Sequence, residues 1–443
     1  MSVTGWRDAS GLNPAVLTVE VGFSSATGSY GTWNTSLWTT TGTWGPDIVW
    51  TDVTDYVRRI STRWGRNRST NQADAGTCSI EFNNDDARFS PWNLSGPYVS
   101  GGITGIRPWR PVRISTSVQV NVPGIDPIYT VIRGYVFYGY TTAWSESYAM
   151  SGSQSTARVD CVDEFGRLAR FNSYAQTPQG AGERSGERIR RILDNAGFRG
   201  TFDGALGDVT CQATTLAQNA LTELKLVADS EGGYIECVPG AEPYIRFRSR
   251  STLYPTSALY TFSDSSNTTS SHLKYESIQQ EFSGDLVYTI VGMSRVGGTV
   301  QETADQTSRA LYGDLKHVRT DLICETDAQT QGLAALWLSR YKEPRQRVTQ
   351  VTVNPRKGPN SYVPNGGNIW DAVLTPGNRR YPVRVKPRAS ASEIEYDCTQ
   401  IGAAHEITPD SWITQLFFAP TNEISAPVHN WSSGLWDTAN WYF

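Results

Sequence analysis

The sequence predicts a mainly β protein with a small α/β module in its middle. Three observations carry that expectation. Apolar and polar residues alternate along many short runs, both before residue 165 and after residue 265. A period of two with one apolar face marks a half-buried strand. Forty glycines and 22 prolines supply punctuation, as turns between many short elements require. A helical apolar period occurs only between the two strand-rich regions and once within the second.

In the first region Leu17, Val19, Val21 and Phe23 alternate with Thr18, Glu20 and Gly22, and Cys78, Ile80 and Phe82 alternate with Thr77, Ser79 and Glu81. Further strands are expected over 112–118, 129–138 and 157–162. In the middle, Ile189, Ile192, Leu193 and Ala196 fall on one helical face, so 186–196 is a helix ended by Gly197. A second helix spans 215–229 and stops at Gly232-Gly233, and a hairpin of strands 234–238 and 244–248 follows. In the last region strands are expected over 278–282, 286–293, 348–353, 381–386, 396–407 and 412–418. One helix lies among them: Thr326 and Gln329 form a capping box, Leu333, Leu336, Trp337 and Tyr341 make the apolar face, and Pro344 ends it. The expected units are therefore 1–165, 166–264, 265–420 with one helix, and an aromatic tail over 421–443. Single cores stop growing at roughly 250–300 residues, so several units suit a chain of 443.

Charge excludes one class. The net charge is −4, whereas a general nucleic-acid binder carries a basic excess. The N-terminus shows no apolar signal segment, and no run of 18 apolar residues spans a membrane. Cys78, Cys161, Cys211, Cys237, Cys324 and Cys398 are scattered, without CxxC, and read as buried thiols made in a reducing cytoplasm.

Catalytic motifs are sparse. There is no GxSxG and no P-loop. Gly180-Ala181-Gly182 with Gly186 misses GxGxxG by one residue and reads as a connector. His405-Glu406 begins like HExxH, but Pro409 takes the second histidine's place. Asp85-Asp86 and Asp163-Glu164 could serve acid–base chemistry or Ca²⁺, yet such clusters between strands serve turns by local hydrogen bonding. No catalytic, cofactor-binding or metal-binding residue is assigned, and the chain is not expected to be an enzyme.

Two features point to partners. Arg58, Arg59, Arg63, Arg66 and Arg68 surround Trp64 with no acid between them, while residues 389–443 hold seven acids and no Lys or Arg. The arginines read as a phosphate-contacting patch, a solvated strand face, or partners for acids on a neighbouring subunit. Trp431, Trp436, Trp441, Tyr442 and Phe443 crowd the last 13 residues. They are either a final strand packed on the core or anchors for another subunit or tail protein.

Several segments in order resemble a known family. Asp52-Val53-Thr54-Asp55-Tyr56-Val57, Arg63-Trp64-Gly65-Arg66, Gly76-Thr77-Cys78-Ser79-Ile80-Glu81-Phe82-Asn83-Asn84 and Arg110-Pro111-Val112-Arg113-Ile114 resemble the N-terminal region of minor tail proteins from long-tailed phages of actinobacteria. Those look related to the tail-tip or baseplate hub proteins of the tail-associated-lysin type. Ala228-Asp229-Ser230-Glu231-Gly232-Gly233 resembles the middle module, and Ser308-Arg309-Ala310-Leu311-Tyr312-Gly313 the second barrel.

The resemblance implies two tube-type β-barrels bracketing a helix-hairpin insertion. It implies a homotrimeric hub that joins a six-fold tail tube to a three-fold distal tip, taking part in host attachment and DNA passage. The implied partners are the distal tail protein ring, the tape-measure protein, other minor tail or receptor-binding proteins, and passing DNA without sequence-specific binding. No cofactor is implied. The location would be the virion tail tip, after synthesis in the bacterial cytoplasm. About 25 residues follow the second strand-rich region, which leaves no expected place for a C-terminal hydrolase. The rival readings are a carbohydrate-binding or glycan-cleaving tail protein, and a hexameric distal tail protein.

Overall fold

The computed structural model describes residues 15–23, 48–67, 72–121, 129–148, 150, 154–172, 177–253, 258, 260–263, 272–356, 369–374, 380–385 and 393–421. Its main feature is one 14-stranded sheet. Along its length the strands run Ser277–Ser283, Arg345–Val353, Ser411–Pro420, Ile394–Thr408, Val57–Asn67, Thr77–Asn83, Thr156–Val162, Tyr129–Ser147, Pro111–Asn121, Ala15–Val21 and Thr51–Asp52.

The alternation read from the sequence is what builds this sheet. Cys78, Ile80 and Phe82 face inward, and their registered neighbours Cys161, Val159 and Ala157 face the same way. Each of the six is at most 3% exposed. Burial of Ile80, Phe82 and Val159 stabilises by about 1.5–3 kcal/mol each relative to exposure. Aromatics fill the wider gaps: Phe82 stacks on Phe89 at 4.4 Å, and Trp370 meets Trp412 edge-on at 5.0 Å.

The two strand-rich regions, expected as two β-barrels, are joined in one hydrogen-bonded sheet. The 15-residue strand Ile394–Thr408 is long enough to pair twice along one edge. Its first part, Ile394 to Thr399, pairs with Arg380–Val385, and its second part, Gly402 to Ile407, pairs with residues 60–65 of Val57–Asn67. One apolar cluster accordingly runs through both regions, from Leu17, Ile60 and Phe82 to Trp370, Trp412 and Leu416.

The joint depends on two glycines. Gly65 has φ +124° and lies against Gly402 where the strands cross. A Cβ on Gly65 would sit 2.3 Å from the Gly402 Cα and 2.5 Å from the Ile401 carbonyl oxygen. Only glycine tolerates both that backbone conformation and that approach.

The middle module matches its pattern closely. Helix Ser185–Asn195 buries Ile189, Ile192 and Leu193, and Gly197 follows it at φ +64°. Helix Ala220–Glu231 starts at Asn219, whose side chain accepts from the Thr222 N–H at 3.0 Å, and ends on Gly232 at φ +71°. The expected start, residue 215, lies five residues too early, because the capping residue sets the end. Both helices share a core with the sheet of Thr201–Gly204, Tyr244–Arg248 and Tyr234–Cys237.

The last region carries more helix than expected. Gln306–Tyr312 and Ile369–Leu374 join the capped helix Asp327–Tyr341. That capped helix packs on a separate three-stranded sheet of Gln301–Ala304, Ile290–Arg295 and Lys316–Leu322. The expected strand 286–293 therefore belongs to this satellite and not to the long sheet. Among the described residues, no helix is long and apolar enough to cross a membrane.

Candidate functional site

Arg58, Arg59, Arg63 and Arg66 lie on the strand Val57–Asn67, which touches both strand-rich regions and the middle module. Arg59 reaches across the joint and donates to Glu406 from Nε at 3.1 Å and Nη2 at 2.9 Å. Ser61 Oγ donates to the same carboxylate at 2.5 Å. Arg63 lies over the Phe417 ring at 5.1 Å, and Arg58 donates to Asn83 Oδ1 at 3.1 Å. Arg66, on the buried face and 7% exposed, stacks over Tyr234 of the middle module at 3.6 Å. The acid that answers Arg59 belongs to the acid-rich end of the same chain, so part of the charge asymmetry is spent internally. Arg68, and Trp431, Trp436, Trp441, Tyr442 and Phe443, lie outside the described residues.

The acidic and histidine candidates are also structural in place. Asp163 caps the short helix Glu164–Leu168, accepting from the backbone N–H groups of Gly76 at 2.7 Å, Phe165 at 2.9 Å and Gly166 at 3.3 Å. Burial pushes its carboxyl up to about 7, against the opposing pull of those three donors. Asp85 accepts from the Ser155 N–H at 2.9 Å, and Asp86 pairs with Arg88. Both close the turn that the sequence suggests. His405 is 2% exposed, and its Nδ1 is 3.0 Å from the Thr414 hydroxyl. Burial drops its pKa to about 4, so the imidazole is neutral at pH 7. Among the described residues, no group of three His, Cys, Asp or Glu side chains is placed to hold a metal ion.

Two features were not legible in the sequence. Arg188 is fully buried in the middle module. It donates to Thr214 Oγ1 at 2.7 Å and to the carbonyls of Gly180 at 2.6 Å and Gln212 at 3.0 Å, and it pairs with Glu183. The glycine loop at 180–182 is thus pinned by a guanidinium. Glu231, also buried, accepts from Ser185 Oγ at 2.7 Å and from the backbone N–H groups of Val209 at 2.9 Å and Asp208 at 3.1 Å. Desolvation raises its pKa, while these donors oppose the rise.

Among the described residues, the surfaces left open are of three kinds. Strand Ser277–Ser283 ends the long sheet, pairing among the described residues with Arg345–Val353 alone. Its Phe282 is 69% exposed. At the other end, among the described residues, Thr51–Asp52 pairs with Glu20 and Val21 of the strand Ala15–Val21. Large apolar side chains stand out near the turn at 84–106 and the end of Tyr129–Ser147, with Trp92 85% exposed and Leu94, Ile103 and Tyr148 also outside. Finally, an open groove of about 540 Å³ runs along helix Ser185–Asn195, lined by Glu187, Arg190, Arg191, Asp194, Phe202 and Leu206. Its arginines are already answered, Arg190 by Asp194 at 3.3 Å and Arg191 by Glu183 at 2.8 Å.

No protein-family model and no curated protein sequence matches the chain. Solved structures do. A tail protein from Neisseria meningitidis MC58 superposes with a TM-score of 0.55 at 12% identity, over 93% of this chain and 100% of that one. The 43 kDa tail protein of prophage MuSo2 from Shewanella oneidensis gives a TM-score of 0.53 at 11% identity, over 93% and 99%. This chain has the mainly β fold of those two tail proteins.

Proposed function

We propose that the chain is a structural component of a phage tail tip: a homotrimeric hub that joins the six-fold tail tube to the three-fold distal tip, with no bond chemistry of its own. The observation that supports this reading most is the extent of the fold likeness, which takes in 93% of this chain and essentially all of both tail proteins. In this reading residues 1–165 and 265–420 act as two tube-type units fused through Val57–Asn67 and Ile394–Thr408, with 166–264 as the inserted module. The virion tail tip is the location, and the actinobacterial-phage family is the one its sequence segments resemble.

The two different ends of the long sheet favour a ring. A closed ring of three or more copies needs a heterologous contact, one surface of each copy on a different surface of the next. Ser277–Ser283 at one end and Ala15–Val21 at the other are such a non-identical pair. Exposed strand edges are templates for pairing with another chain. The distal tail protein ring, the tape-measure protein and receptor-binding proteins are the further partners of this reading, and DNA would pass without being read. The aromatic segment with Trp431, Trp436, Trp441, Tyr442 and Phe443 would dock on one of them, so a chain ending at Ala426 should fold and yet fail to assemble a tip. Arg68 and the exposed part of the run at Arg59 and Arg63 would lie near such contacts.

The test is the mass and symmetry of the assembled protein. A particle of three chains with three-fold symmetry supports the hub. Six chains in a ring would indicate the distal tail protein instead, and turnover of host-wall glycans would replace the structural reading with an enzymatic one.

A further inference from the structure

The six cysteines are all buried and reduced. Two of them nevertheless stand directly opposite each other across the boundary between the middle module and the last region. Cys211 and Cys324 form an isolated antiparallel bridge. The flanking hydrogen bonds run from Gln212 N–H to the Ile323 carbonyl and from Glu325 N–H to the Thr210 carbonyl, both at 2.9 Å. They skip the cysteines, which makes the two a non-hydrogen-bonded pair. In such a pair the Cα atoms are about 4.5 Å apart and the side chains approach closely on one face. A disulfide needs a Cα separation of about 4.4–6.8 Å. Both side chains are 0% exposed.

We propose that Cys211 and Cys324 are an oxidisable pair, whose disulfide locks the middle module to the last region. The thiol form is held by weak contacts, among them Cys324 Sγ–H donating to the Ser230 carbonyl at 3.4 Å. Burial raises both thiols to about 12, so neither is a thiolate in the closed state at pH 7. Reaction therefore follows local opening of the bridge, which two backbone hydrogen bonds resist. A second opposed pair, Cys78 and Cys161, is set differently. Both of its strands are paired on each side within the long sheet, so opening there disrupts the sheet itself and the thiols stay reduced.

The oxidant is a low-molecular-weight disulfide. The thiolate of one cysteine attacks it, releases one thiol and forms a mixed disulfide. The second cysteine's thiolate attacks the protein-bound sulfur, closing the Cys211–Cys324 bond and expelling the second thiol. The protein loses two protons and two electrons, and the oxidant gains both. A reducing compartment keeps the pair open, and an oxidising medium closes it.

The experiment incubates the full-length reduced protein with glutathione disulfide and follows free thiols, non-reducing peptide maps and thermal unfolding. The expected result is a drop from six titratable thiols by two, one linked peptide pair containing Cys211 and Cys324, and a raised unfolding midpoint that dithiothreitol reverses. Cys324→Ala should abolish the linked pair and leave the rest of the map unchanged. If that variant fails to fold, the peptide map of the unaltered chain decides. Recovery of Cys211 and Cys324 as separately alkylated thiols after oxidation, or linked only to glutathione or to other cysteines, overturns the proposal.

Discussion

Replacing Gly65 by alanine should open the joint between the two strand-rich regions, and its cost can be worked from two separate sources. A φ of +124° is a conformation that a side chain occupies at a cost of about 1–3 kcal/mol. The new Cβ would also meet the Gly402 Cα at 2.3 Å and the Ile401 oxygen at 2.5 Å. Both are backbone atoms, so neither can swing aside, and overpacking of this kind costs about 1–3 kcal/mol. The sum is about 2–6 kcal/mol, against a total of about 5–15 for a typical domain. Gly402→Ala isolates the second source: its Cβ would lie 2.5 Å from the Trp64 oxygen, without a left-handed φ. Gly101→Ala isolates a milder strain, since φ is +58° and nothing lies within 4 Å. That one should cost about 1–2 kcal/mol. Urea unfolding gives the order, and hydrogen exchange over Val57–Asn67 and Ile394–Thr408 locates the damage. If Gly65→Ala lies within about 0.5 kcal/mol of the unaltered protein, or if exchange rises elsewhere and not in these strands, the joint is not what the glycines serve.

Arg188→Met should destabilise the middle module by about 3 kcal/mol, because removing a buried charge strands its partners around 179–184 and 212–214; proteolysis within that loop would report it, and an unchanged cleavage pattern would count against the pinning role. Arg59→Ala should cost less than about 1 kcal/mol, because the pair with Glu406 is 60% and 45% exposed, and raised salt should likewise weaken assembly only modestly. Two buried groups give opposite pH slopes. Asp163 binds a proton more tightly folded than unfolded, so its contribution falls as pH rises from 3.8 to about 7. His405 binds one less tightly, so its contribution is lost as pH falls from 6.5 to about 4, at most about 3 kcal/mol. Unfolding of Asp163→Asn and His405→Asn across pH 4–7 should remove one slope each, and an unaltered pH profile in either variant would refute its assignment.

Much of the chain could be read without coordinates. Strands such as Thr77–Asn83 and Thr156–Val162, and the capped helix Asp327–Tyr341, follow from side-chain period and capping, which are local properties. Val57–Asn67 escaped the list of expected strands because its arginines mask the alternation. The charges of Arg59 and Arg63 point outward, while the alternate residues Ile60, Thr62 and Trp64 are buried. Its partner across the joint lies more than 330 residues away, and no local pattern encodes a pairing at that range. The same holds for the buried Arg188 and Glu231, whose residue types alone suggest surface. It holds for Cys211 and Cys324, which look unrelated in sequence and face each other in space. Local chemistry thus decided which segments extend, coil and turn. Which strand edge meets which, and which polar groups are sealed inside, is decided by packing between distant segments, because only there are the partners that stabilise them brought within bonding distance.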